Sequence, residues 1–422
     1  MTRRFRKFRT RLLIFLAVVG PGIITANVDN DAGGIFTYSN AGATFGYSLL
    51  WTLIPVTIAL IVVQEMVARM GAVTGKGLAD LIREEYGFRI TFFVMVLLLV
   101  ADLGNTISEF AGLASGMSVV GVSRYIAVPL GAILVWVLVV KGTYRSVEKI
   151  FLVACVFYIA YPLSCFLAHP RWMDALKGAV VPTMHFDSNY LYMIIGLVGT
   201  TIAPWMQFYL QSAVVEKGVK VKDYRLSRWD VIVGCIMTDV VAFFIIAACA
   251  ATIYVSGHGG IKDAGEAALA LRPFAGRAAT YLFAFGLCNA SIFSACILPL
   301  ATAYYVCEGL GVESGINKRL HEAPAFYTLY TTLIVIGALA VIFLSPEKEI
   351  PIALFSQVVN GILLPFVLIF MLRLINREDL MGDYRNNRTF NVVAWLTCVT
   401  MIGLTVVLVV STFFPSHLPG QG

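Results

Sequence analysis

Apolar runs of about twenty residues recur along nearly the whole chain, and they limit it to one class of fold. Eleven are readable, at approximately 9–41, 45–70, 89–120, 123–140, 145–168, 189–216, 228–255, 275–308, 323–345, 350–375 and 390–414. A helix of about 20 apolar residues crosses the hydrocarbon core of a bilayer. The intervening loops are too short to hold a separate soluble domain. Only 13% of the residues are charged and 59% are apolar, where soluble domains carry about 25% charge. The expectation is an all-α polytopic membrane protein with 11 transmembrane helices, a single domain over residues 1–422.

The net charge of +6 would suit a nucleic-acid partner, but the placement of the charges argues against one. With the N-terminus inside, 24 of the 31 Lys and Arg residues fall in the tail or in inner loops. Cytoplasmic loops carry this excess because it sets orientation in the membrane. The basic tail through Arg11 is therefore an orientation signal. The expected placement is the plasma (inner) membrane, N-terminus cytoplasmic and C-terminus outside, with the lipid bilayer as partner and no nucleic acid. The 8 cysteines lie in or beside apolar runs without a C-x-x-C pair, which favours neither a disulfide framework nor a thiolate metal site.

Two runs are interrupted. The first contains GPGIITANVDNDAGG, residues 20–34, with Asp29 and Asp31 inside it. A carboxylate at bilayer depth costs roughly 2.5–3.5 kcal/mol on insertion scales, so it faces a partner, a cavity or an ion. Glycine and proline make this stretch a poor continuous helix, expected to be two half-helices around Asp29–Gly34. Unwound backbone frees carbonyls, tolerated only where they line protein or water. Carbonyls beside a carboxylate make a hard-cation site. The sixth run, GLVGTTIAPWMQFYLQS, places Pro204 four residues after Thr200, which removes the donor for the Thr200 carbonyl. Interruptions in corresponding positions of two halves point to a transporter of inverted repeats. The halves would be 9–168 and 189–375, five helices each, with an extra helix at 390–414.

At these residues the chain resembles the Nramp (SLC11) family of divalent metal transporters, whose members share the LeuT-type fold. GPGIITANVDNDAGG followed by GATFGYSLLW, then TGKGLADLIREEYG, FSQVVNGILLPF and LMGDY carry the resemblance. The family's helix-one Asp-Pro-Gly-Asn falls on Asp31-Ala32-Gly33-Gly34, and its helix-six Met-Pro-His on Ala203-Pro204-Trp205. The resemblance implies the Asp31 carboxylate, the Thr200 carbonyl and the Gln357 side chain as metal ligands, with Asp29, Gly34, Ala203 and Pro204 lining the site. Two family ligands are missing, the Asn side chain at Gly34 and the Met thioether at Ala203. The proton-handling residues also depart: Asn105 stands for an acid and Trp205 for a histidine at the former proton-relay position.

Thioethers favour transition metals, while oxygen ligands and water suit Mg, Ca and Mn. Mg²⁺ keeps several waters and is held by one or two carboxylates, and the two lost side chains are expected to widen the site for it. The pattern is similar to the Nramp-related magnesium transporters, an offshoot of that family. The expected function is uptake of partly hydrated Mg²⁺, and also Mn²⁺, by alternating access without proton coupling. The alternative is a proton-coupled Mn²⁺/Fe²⁺ transporter of the ordinary Nramp kind. Asp102, Asn105 and Glu109 share one helix face; Asp102 and Glu109 read as a proton route, as inter-helix hydrogen bonding or as part of a water-filled vestibule. Gln357 is open to the same second reading. Met206 reads as core packing or, one turn from Ala203, as a sulfur ligand. Glu65 is expected to pair with Arg69. No span supplies a nucleophile–base pair, so no enzyme is expected, and neither a cofactor nor an obligate protein partner is evident.

Overall fold

The computed structural model describes residues 20–413 except 186, 258–260, 262–266, 270–271 and 346–347. The basic tail through Arg11, the start of the first run and residues 414–422 lie outside the described residues. Among the described residues sixteen α-helices follow in order: α1 Pro21–Val28, α2 Ala32–Phe45, α3 Leu53–Thr74, α4 Leu78–Val119, α5 Arg124–Val140, α6 Tyr144–Phe157, α7 Ala160–Leu167, α8 Trp172–Val180, α9 Ser188–Thr201, α10 Pro204–Glu216, α11 Tyr224–Cys249, α12 Arg272–Leu310, α13 Pro324–Phe343, α14 Glu349–Ile375, α15 Glu378–Met381 and α16 Arg388–Phe413. Among the described residues, 9 helical stretches are long and apolar enough to cross a membrane. The broken α1–α2 pair and the 17-residue α5 complete the eleven runs of the sequence.

Most boundaries have a local cause. Ser123, Thr143 and Asp187 cap α5, α6 and α9 with side-chain oxygens that accept backbone N–H groups, satisfying donors that a helix start leaves free. Pro204 opens α10 at a position where its missing N–H costs nothing. The stretch before Phe88 forms a short helix, joined to the long span of α4 at Gly87 with φ 79°. Gly276, at φ 77°, does the same near the start of α12. These are the third and eighth runs, corresponding members of the two halves. The fifth run divides into α6 and α7 at Tyr158–Ile159, just before Pro162.

The broken pairs sit in the middle of the bundle. Helix α1 lies on α11, α2 packs between α11, α14 and α9, and α14 lies along α9. That last contact depends on missing side chains: a Cβ on Gly199 would collide with the Gln357 carbonyl, and one on Gly361 would stand 2.7 Å from the Ile195 carbonyl oxygen. Helices α4 and α12 share the largest interface. α16 lies on the margin against α14, α9 and α3, where Val392, Leu396 and Val399 remain exposed. Glu65 pairs with Arg69 at 3.2 Å, as expected. Arg69 also donates to the carbonyls of Tyr384 and Arg385 at 3.0 and 3.1 Å, tying the LMGDY segment to α3.

Candidate functional site

The first break is shorter than expected. Helix α1 is capped at its C-terminus by Asp29, α2 is capped at its N-terminus by Asp31, and only Asn30 separates them. Gly33 and Gly34 are not part of the interruption; both lie in the first turn of α2. Asp31 has extended backbone, φ −72° and ψ 178°, and its Oδ1 accepts from the Gly34 N–H at 2.5 Å. The positive end of the α2 dipole faces the same carboxylate.

The glycines provide close approach. A Cβ on Gly34 would stand 2.5 Å from the Asp29 carbonyl oxygen, 3.0 Å from Thr200 Oγ1 and 3.3 Å from Asp31 Oδ1. Three oxygens from both broken segments thus converge on one face of Gly34. The expected widening is not found there, because backbone and hydroxyl oxygens occupy the space a side chain would take. A Cβ on Gly33 would collide with Gln357 Nε2 and stand 3.3 Å from Asp31 Oδ1, so α14 delivers the Gln357 amide to the same place. Its Oε1 accepts from Asn360 Nδ2 at 3.2 Å, while Nε2 has no hydrogen-bond partner. A half-turn of the amide would present its oxygen beside Asp31.

The second break is Ile202–Ala203, between α9 and α10. Pro204 offers the Thr200 carbonyl no N–H, and the Ile202 N–H turns back to the Val198 carbonyl at 2.8 Å. The Thr200 atom that lies against Gly34 is its hydroxyl, where the carbonyl was expected. Ala203 caps α10 in extended conformation without a side-chain bond. Met206 is fully buried one turn on, its N–H on the Ala203 carbonyl at 3.1 Å. Trp205 is buried, its ring centroid 6.4 Å from that of Tyr209.

The polar face of α4 divides into two roles. Asp102 is fully engaged: Asn105 Nδ2, Thr302 Oγ1 and Tyr305 O–H donate to its carboxylate at 3.2, 3.0 and 3.1 Å. Asn360 Nδ2 donates in turn to Asn105 Oδ1 at 3.3 Å. A buried hydrogen-bond chain therefore runs from Gln357 to α12, which favours the inter-helix reading of Asp102. Glu109 is different. Its Oε2 accepts from the Ala32 N–H at 3.1 Å, and Oε1 has no partner. Asp31 and Glu109 thus share the N-terminus of α2, and no residue pattern signals that capping bond between runs one and three.

Other contacts were also illegible in the sequence. Asp230 Oδ1 accepts from the N–H groups of Gly20 and Ile23 and Oδ2 from Gly22, at 3.1, 3.2 and 2.7 Å, fixing the start of α1. Asn30 Nδ2 donates to Thr238 Oγ1 at 2.6 Å and to its carbonyl at 3.1 Å, fixing the break on α11. Among the described residues no three His, Cys, Asp or Glu side chains converge as a metal cage. The donors near Asp31 are oxygens and an amide, a set that suits a hard, partly hydrated cation.

Two discontinuous helix pairs crossing at mid-bundle, with a carboxylate at their meeting point, define a polytopic membrane transporter of inverted-repeat type. The sequence family described as natural resistance-associated macrophage protein-like (Nramp) matches residues 22–411, and the chain belongs to that family. It is 27% identical over 404 residues to the divalent metal cation transporter MntH of Klebsiella pneumoniae, covering 94% of each chain. Its structure is similar to the Eremococcus coleocola manganese transporter in complex with an aromatic bis-isothiourea compound. That match has a TM-score of 0.75 at 22% identity and covers 100% of this chain and 91% of that one. It is similar also to Mhp1, a nucleobase-cation-symport-1 family transporter, with TM-score 0.59 at 16% identity, covering 95% and 94%. The fold is the expected LeuT-type arrangement, with broken helices first and sixth.

Proposed function

We propose that the chain carries divalent cations across the plasma membrane by alternating access, with Mg²⁺ as the main substrate and Mn²⁺ sharing the site. The observation that carries this reading is the convergence of Asp31 Oδ1, the Asp29 carbonyl and the Thr200 hydroxyl on one face of Gly34. In this reading Asp31 supplies the charge, the Thr200 oxygens and the Gln357 amide supply neutral donors, and water fills the remaining positions. Magnesium gives up its hydration shell reluctantly, and Ala203 offers no thioether in competition. The membrane potential contributes about 2.3 kcal/mol per charge per 100 mV to inward movement.

Absence of proton coupling is supported by Asn105 and Trp205, neither of which carries a titrating group at positions where the resembling family does. A second reading has its own support. MntH of Klebsiella pneumoniae is a divalent metal cation transporter and the Eremococcus coleocola protein a manganese transporter, and Glu109 is buried beside Asp31 with one free oxygen. That reading is proton-coupled Mn²⁺ transport.

Proteoliposomes containing one dye for internal Mg²⁺ and another for internal pH separate the two. Mg²⁺ entry without matched acidification, lost in Asp31→Ala, is expected. Acidification that tracks metal entry, or Mn²⁺ entry without Mg²⁺ entry, would favour the second reading.

A further inference from the structure

The carboxylates near the first break divide by what they are given. Asp102 receives three hydrogen bonds, Asp31 and Glu109 each receive a backbone N–H. Asp29 and Asp239 are 2% and 5% exposed; neither Asp29 oxygen has a hydrogen-bond partner, and Asp239 has only the Thr57 hydroxyl beside it. Leaving a charge buried and uncompensated is strongly destabilising.

Geometry places these two together. Asn30, next to Asp29, anchors its amide on Thr238, next to Asp239, and the Asp29 carboxylate feels the charges of Asp239 and Asp31. With Nδ2 committed to Thr238, the Asn30 Oδ1 is left at the same seam between the break and α11. It is fully buried and without a donor. Asp29 is also the C-cap of α1, where the dipole is negative and an anion is least favoured. Two carboxylates and an amide oxygen, of which only Asp239 is offered a side-chain donor, thus lie near one another at the negative end of a helix. Such a place is completed by a cation.

A groove reaches one member of the group. Asp239 lines a groove of about 220 Å³ between α3 and α11, whose other walls, Thr57 apart, are apolar. The Thr57 hydroxyl donates to the Leu53 carbonyl at 2.7 Å and also lies within reach of the Asp239 carboxylate. By the charge pattern this end of α3 is the outer one.

Building on the proposed transport at Asp31, we propose that Asp29 and Asp239, with Asn30 Oδ1, form a second station for a divalent cation on the outer side of Asp31. An ion held there through its water shell stands one step from the Asp31 site, and its repulsion of an ion at Asp31 would promote release inward. With oxygen donors only, the station takes hard cations.

Equilibrium dialysis of the purified full chain in detergent against radioactive Mn²⁺ tests this, with wild type, Asp239→Asn, Asp29→Asn and Asp31→Asn. Asparagine keeps the shape and removes the charge. The expected stoichiometry falls from two ions in wild type to one in each variant. One ion in wild type, kept in Asp239→Asn and Asp29→Asn, would overturn the station, leaving these carboxylates to hold protons. Loss of one ion in Asp239→Asn but none in Asp31→Asn would support the station and overturn the reading of Asp31. Should Asp239→Asn fail to give a monodisperse protein, Asp29→Asn reads the same station from the other helix.

Discussion

The two breaks resemble one another in topology and differ in chemistry. The first holds Asp29, Asn30 and Asp31 between two half-helices; the second, Ile202–Ala203, holds no ionisable group and is made by Pro204. One supplies charge and the other supplies neutral oxygens in fixed positions. On the proposed reading, attraction for a cation resides in α1–α2, while α9–α10 sets distance and shape. A single break with all donors would bind an ion without a second body to move against it. Dividing the donors between two repeats makes binding depend on how the repeats are placed, which alternating access requires.

Substitutions should separate these roles, and the largest effect belongs to the charged break. Asp31→Ala is expected to lower Mg²⁺ uptake into proteoliposomes about a hundredfold, equivalent to about 3 kcal/mol, with unchanged elution on size exclusion. Gly34→Ala follows. Its Cβ would stand 2.5 Å from the Asp29 carbonyl oxygen, and because that atom is backbone, the break must shift; a loss of about tenfold in the same uptake assay is expected.

At the neutral break the effects should be smaller and directed at selectivity. Ala203→Met adds a thioether beside Thr200 and should shift competition uptake toward Mn²⁺ over Mg²⁺, by about tenfold for a change near 1.4 kcal/mol. Pro204→Ala returns an N–H donor to the Thr200 carbonyl and should reduce uptake only severalfold; equality with Asp31→Ala would break the division of roles. The smallest effect is expected for Asn105→Ala, which cuts the hydrogen-bond chain between Asn360 and Asp102. It should cost about 1 kcal/mol of stability, seen as a lower melting temperature in detergent with transport retained.

Membrane folding made much of this legible beforehand. Runs of apolar residues have few alternatives to spanning helices, so the eleven segments and both interruptions could be read directly. Asp31 stood out because a carboxylate at depth needs a reason, and Pro204 because its effect on Thr200 is local. Gly33 and Gly34 were read as helix breakers, yet they sit inside α2 and act by absence, admitting Gln357 and the Asp29 carbonyl. That function depends on which atoms approach from other helices, which local sequence does not encode. The same holds for Glu109 on the Ala32 N–H, Asp230 on the start of α1 and Asn30 on Thr238. Each joins residues distant in sequence by one to three hydrogen bonds, with no periodicity to mark it. Helix α8 within the loop 169–188 was unforeseen because it is only 9 residues long.

If a divalent ion sits where the two breaks meet, anomalous scattering from Mn²⁺-soaked crystals of the full chain locates it. An anomalous peak is expected beside the Asp31 carboxylate, in reach of the Thr200 oxygens directly or through one water, and absent in Asp31→Ala. A peak that persists in Asp31→Ala, or one placed on Met206 with Asp31 out of reach, would contradict that placement.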